Sequence, residues 1–195
     1  MKYYLLMAVM LLTSAAVWCQ DWIKQYDNYD DFANGLALVS KAGKKGFVNK
    51  KGELVIPCVY EDAMHFNDGL APVKKGGKWG FLDSTGKEVV ALQYEDANTF
   101  SEGLAMVSKN GRYGYVDKTG QLAIPIAFDN AFCFSEGLAA VNKGGLWGFI
   151  DPGGKSVIPF KFNYATSFYQ GAAKVLKGTK WLYIDKNGKE SQIEN

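Results

Sequence analysis

The sequence predicts an all-β tandem array of 34-residue units, each a three-stranded antiparallel sheet, and three observations predict it. Phe32, Phe66, Phe100, Phe134 and Phe168 recur at that period without an insertion. Each is followed three residues later by Gly35, Gly69, Gly103, Gly137 or Gly171, and in the first four units by Leu-Ala-x-Val. Beyond residue 19 the apolar residues form short runs broken by glycine turns, with no helical period. The array stays open or superhelical in the preferred reading, because 34 residues are few for a four-stranded blade. A closed five-bladed ring is the alternative, since a split unit at the two ends could join.

The leader comes first. Lys2 and the apolar run Tyr3 to Val17, followed by the polar Gln20-Asp21, have the layout of a secretory signal peptide over residues 1–19. Val17 and Cys19 fit the small positions before a cut at Gln20. Lipid anchoring at Cys19 is the alternative, weakened by the bulky Trp18 beside it. The apolar run is short for a membrane span and no basic cluster follows it, so no span is expected once the leader is removed. The repeat domain then covers residues 20–195: a half unit 20–31, whole units 32–65, 66–99, 100–133 and 134–167, and a shortened unit 168–195.

Within each unit the first strand is Leu-Ala-x-Val, as in Leu70 to Val73. Its third place changes freely (Leu38, Pro72, Met106, Ala140, Lys174) while its neighbours stay apolar, the pattern of a strand with one buried face. A glycine turn such as Gly77-Lys78 joins it to the second strand, Trp79-Gly80-Phe81-Leu82 or Trp147-Gly148-Phe149-Ile150. Consecutive apolar residues there predict cover on both faces. The strand glycine beside Trp predicts a ring laid over bare backbone. Asp-x-x-Gly turns at Asp83, Asp117, Asp151 and Asp185 close this strand. Val-Ile-Pro then reads as the third strand, with Pro at a strand end or edge, ahead of an aromatic and a small Ala such as Ala63 or Ala97 that allows close packing between units.

These landmarks resemble the WG-repeat family, also called KWG repeats: Lys78-Trp79-Gly80-Phe81, Leu146-Trp147-Gly148-Phe149, the Glu-Gly-Leu-Ala segments at Glu102 and Glu136, and Val-Ile-Pro. The likeness covers nearly all of residues 20–195. Lys45, Tyr113 and Leu182 depart from it at the Trp-Gly places. The resemblance implies a bacterial repeat protein and carries over no active-site residue and no cofactor.

The chemistry-bearing residues point to binding. His65 is the only histidine, which disfavours His-based zinc sites and nucleophile–His pairs. One Asp per unit gives no converging oxygens for calcium. Glu61-Asp62 and Glu95-Asp96 are the nearest thing to an acid–base pair, and Asp129-Asn130 and Asn163-Tyr164 replace them later, so they read as polar connections. No catalytic, cofactor-binding or metal residue is assigned, and an enzyme is not expected. Cys58 and Cys133 fall at different places of the repeat and are expected as free thiols. A net charge of +2 argues against a nucleic-acid partner. The Lys column (Lys41, Lys75, Lys109, Lys143, Lys177) reads as edge protection in preference to a ladder for an anionic polymer. The expected function is an exported protein-interaction scaffold, with a glycan- or cell-wall-binding module as the alternative. The candidate binding surface is Leu38, Pro72, Met106, Trp79, Tyr113, Trp147 and Trp181.

Overall fold

The computed structural model describes residues 21–192; the leader and its cleavage place lie outside them. Five antiparallel sheets of four strands follow one another along the chain and form no closed barrel. Sheet one holds β1 (Asn28–Tyr29), β2 (Leu36–Lys41), β3 (Lys44–Asn49) and β4 (Leu54–Tyr60). Sheet two holds β5 (Asp62–Ala63), β6 (Leu70–Lys75), β7 (Lys78–Asp83) and β8 (Glu88–Tyr94). Sheet three holds β9 (Asp96–Ala97), β10 (Leu104–Lys109), β11 (Arg112–Asp117) and β12 (Leu122–Phe128). Sheet four holds β13 (Asn130–Ala131), β14 (Ala139–Lys143), β15 (Leu146–Ile150) and β16 (Ser156–Phe162). Sheet five holds β17 (Tyr164–Ala165), β18 (Ala173–Lys177), β19 (Lys180–Ile184) and β20 (Glu190–Gln192). A 3-10 turn at Asp21–Gln25 precedes them.

The three-stranded expectation is therefore corrected to four strands. The extra strand is only two residues long, too short to carry a period. It uses the stretch read as a connection, as where Asp62 and Ala63 pair with Lys74 and Val73. The sheets are thus framed some four residues ahead of the opening Phe. A single residue, such as Glu61 or Glu95, separates the last strand of one sheet from the first of the next.

Consecutive sheets stack face to face. Leu38, Phe47 and Ile56 of sheet one form one core with Phe66, Ala71, Val73 and Leu82 of the next unit. The same arrangement recurs at the later junctions. This is why Trp79, Gly80, Phe81 and Leu82 are all buried: a middle sheet is covered on both sides. The unit-opening Phe inserts across each junction. Phe47–Phe66, Phe81–Phe100, Tyr115–Phe134 and Phe149–Phe168 have ring centroids 4.9, 5.0, 5.0 and 4.9 Å apart. These tilted contacts suit the ring quadrupole. At the front, Trp22 and Tyr26 cover Ala37, Val39 and Val48 of sheet one.

The glycine of Trp-Gly has a different cause from the one the sequence suggests. Trp79 pairs with Tyr94 while Phe81 pairs with Val90, so β8 bulges opposite Gly80. A Cβ on Gly80 would lie 2.5 Å from the Val90 carbonyl oxygen. The close neighbour is the backbone of the bulged fourth strand, not an aromatic ring. Leu182 fits in unit five because β20 is short and pairs with β19 in regular register.

Two polar stitches fix the junctions. Asn67 Nδ2 donates to the Phe100 carbonyl at 2.8 Å, and Ser101 and Ser135 Oγ donate to those of Phe134 and Phe168 at 2.8 and 2.7 Å. The Asp68, Glu102 and Glu136 carboxylates accept from the backbone N–H of Gly103, Gly137 and Gly171, one unit on. Asp68 and Gly69 both take positive φ, 53° and 87°, as a two-residue hairpin turn between Asn67 and Leu70 requires.

Candidate functional site

Most of the proposed binding surface is packing. Leu38, Pro72 and Met106 are buried within the stack, as are Trp79 and Trp147, each 5 % exposed. The third place of the first strand faces the following sheet, so its variation records how each junction packs. Trp181 is 41 % exposed because no sixth sheet covers that face among the described residues. Tyr113 is half-buried.

The connecting acids also have a structural role. Glu61 accepts from the N–H groups of Gly76 and Gly77 at 2.9 and 3.0 Å, and Glu95 from Gly111 at 2.9 Å. Asp27, Asp129 and Asn163 do the same for Ala42, Gly144 and Gly178. Each holds the hairpin turn of the sheet it introduces. Those N–H donors lower the Glu61 and Glu95 carboxyls below their ordinary value. The Lys column ends the second strand of each sheet, an interior strand, so it does not guard an edge. His65 lies 3.6 Å from Asp30 at the surface. Cys58 and Cys133 are both free and half-buried.

Tyr113 and Met106 nevertheless meet in a cleft of about 400 Å³ between sheets three and four. Sheet three contributes Asp96, Asn98, Met106 and Tyr113. Asn130, Ala131, Phe132 and Cys133 form the facing wall, and Ser167 adds a hydroxyl. The repeat explains the opening. In sheets two and four the Tyr113 place holds Trp79 and Trp147. The Asn98 place holds Met64 beside Trp79, and Phe132 stacked on Trp147 at 5.1 Å and 20°. Sheet three alone, among the middle sheets, puts a smaller ring and a short amide there together.

A third departure lies alongside. Tyr115 stands where Phe47, Phe81 and Phe149 stand, is fully buried, and donates its hydroxyl to the Phe132 carbonyl at 2.7 Å. Burial raises its phenol far above the ordinary range, so it remains a donor. It fixes the backbone that carries the Phe132 ring. Burial likewise raises the Cys133 thiol, which keeps it protonated and weakly nucleophilic. The cleft lining contains one carboxylate, Asp96, and no cationic side chain.

Asn98, Phe132 and Ser167 are not singled out by the sequence, which reads Asp96 and Asn130 only as parts of polar connections. The available signal was the nearness of three departures, Asn98 at the end of unit two and Tyr113 and Tyr115 in unit three.

Comparisons with known proteins agree with this architecture. The family model described as WG containing repeat matches residues 22–44, 46–79, 79–113, 113–147 and 147–181. No curated protein matches the sequence. Among solved structures, a eukaryotic initiation factor aligns with TM-score 0.57 and 13 % identity over 87 % of this chain and 55 % of that one. Hsv2 of Kluyveromyces lactis aligns with TM-score 0.53 and 13 % identity over 80 % and 58 %. An extracellular domain from B. thetaiotaomicron aligns with TM-score 0.49 and 12 % identity over 87 % and 29 %. The chain thus spans a little over half the length of the first two, and at these identities the likeness is one of fold.

Proposed function

The chain belongs to the WG containing repeat family, and from that premise we propose that it is an exported, non-catalytic binding protein whose ligand site is the cleft between sheets three and four. The observation that carries this reading is the meeting of Asn98 and Tyr113 in one cleft, whose Phe132 wall is held by the buried Tyr115 hydroxyl. A tandem array gains nothing in packing from such an opening, and its size falls in the roughly 300–1,000 Å³ range of small-molecule sites. The raised Cys133 thiol, a weak nucleophile, supports binding without covalent chemistry.

A second reading, the protein-interaction scaffold, is favoured by the uncovered face of sheet five. Tyr169 is 75 % exposed, and Trp181 and Tyr183 are each 41 % exposed. The same exposure supports an open array, since a closed ring would cover these rings and Phe32, which is 41 % exposed. Export rests on the apolar run Tyr3 to Val17. Among the described residues no helix is long and apolar enough to cross a membrane. The near-neutral charge makes nucleic acid a poor partner.

The test is amide-shift mapping by NMR on the intact purified chain with a mixed library of small soluble fragments. The expected result is shifts clustered at Asp96, Tyr113, Asn130 and Phe132. Shifts confined to Tyr169, Trp181 and Tyr183 would overturn the cleft in favour of the terminal face.

A further inference from the structure

We infer that the cleft takes a neutral, hydroxyl-bearing ring, a saccharide unit. This rests on the cleft being the ligand site, and it follows from which hydrogen-bonding atoms the fold leaves free there. The backbone N–H of Thr99 donates to Asn98 Oδ1 at 2.8 Å, and that of Ala131 donates to Asn130 Oδ1 at 2.8 Å. A backbone N–H can bond only the oxygen of an amide side chain, so both orientations are fixed. The two NH₂ groups remain as donors without an acceptor among the described residues. Asp96 Oδ1 accepts from the Ala97 N–H at 2.9 Å, which leaves Oδ2 as a free acceptor. The Tyr113 and Ser167 hydroxyls can act either way.

The set is therefore mixed: two donors, one acceptor and two groups that do both. An anion finds no Lys, Arg or His in the lining and meets the Asp96 carboxylate instead. A cation meets that carboxylate in a lining that also presents two amide donors, whose dipoles oppose it. Hydroxyl groups donate and accept at once, so neighbouring hydroxyls on one ring can use both kinds of atom. The apolar part of the lining fits the remainder. Tyr113, Phe132 and Met106 offer surface to the C–H face of such a ring, and an aromatic body with a polar tip combines both roles. Tyr115 holds the far wall in place through the Phe132 carbonyl, so the site is formed before the ligand arrives.

Saturation-transfer NMR with the intact chain tests this, using glucose, galactose, mannose, N-acetylglucosamine and cellobiose beside charged counterparts, glucuronate and glucosamine. The expected result is binding of at least one neutral sugar in clear preference to both charged forms. Tyr113→Trp should cut that affinity tenfold or more without lowering the unfolding midpoint, because units two and four already carry Trp at this place. Asn130→Ala, at an exposed position, should also weaken binding and guards against a misfolded first variant. Absence of binding by every sugar overturns the saccharide class, and preference for a charged form that Tyr113→Trp abolishes overturns the neutral ligand while keeping the cleft as the site. Sugar binding unchanged in both variants overturns the cleft itself.

Discussion

The junction between sheets two and three and the junction between sheets three and four share one backbone plan. Each carries a ring pair at 5.0 Å, Phe81–Phe100 in the first and Tyr115–Phe134 in the second. Each carries a carboxylate on the next unit's glycine N–H, from Asp68 and from Glu102. Yet Trp79 with Met64 fills the first, and Tyr113 with Asn98 leaves the second open. The difference teaches that stitching and filling are separate tasks in this fold. The Phe and Gly columns set the spacing of the sheets, and the Trp column decides whether the mouth of a junction is closed.

The largest expected effect tests the shared part. Phe100→Ala and Phe134→Ala should each cost about 3–5 kcal/mol by urea denaturation, with similar values at both junctions. A cost at one junction less than half that at the other would break the claim that the spacing is common. The intermediate effect tests the part that differs. Trp79→Tyr should cost about 1–3 kcal/mol and open a second cleft, while Tyr113→Trp should be neutral or stabilising by up to about 1 kcal/mol. A Tyr113→Trp variant clearly less stable than the parent would mean that the cleft is not spare volume.

The smallest effect concerns the turn-holding acids. The folded-state Glu95 carboxyl lies below its ordinary value of 4.5, first because of the Gly111 N–H. A lowered folded pKa contributes stability above the ordinary value, and that contribution is lost as pH falls through the lowered one. Sheet three should therefore loosen below about pH 4.5, and Glu95→Gln should flatten the pH dependence of the urea midpoint while keeping an acceptor. Asn163 already does this job without a titrating group in sheet five. An unchanged acid slope would remove Glu95 from the account.

Much of the frame was legible in the sequence. Phe, Gly and Ala recur because packing between identical sheets demands the same shape each time, and the Asp-x-x-Gly turns form as read, with Asp83 Oδ1 accepting from the N–H groups of Thr85 and Lys87. The short first strand was not legible, because two residues carry no period. Glu61, Glu95, Asp129 and Asn163 read as polar connections because their charge is not constant; the constant property, shared with Asp27, is an acceptor oxygen in reach of the next turn. The burial of Trp79 and Trp147 depends on a neighbouring sheet that no single unit contains. The cleft was hidden for the same reason: Tyr113 read as a departure from a motif, and only the stack shows that its shortfall coincides in space with that of Asn98.

The one-residue handover between sheets, at Glu61, Glu95, Asp129 and Asn163, bears on how such chains change length over generations. Every seam presents the same ring, the same turn and an equivalent acceptor, so unequal crossing-over between two copies of the repeat rejoins compatible ends. Whole modules can be gained or lost without refitting those that remain. Sheet three is the exception, because a duplicate of it would bring a second open mouth with it.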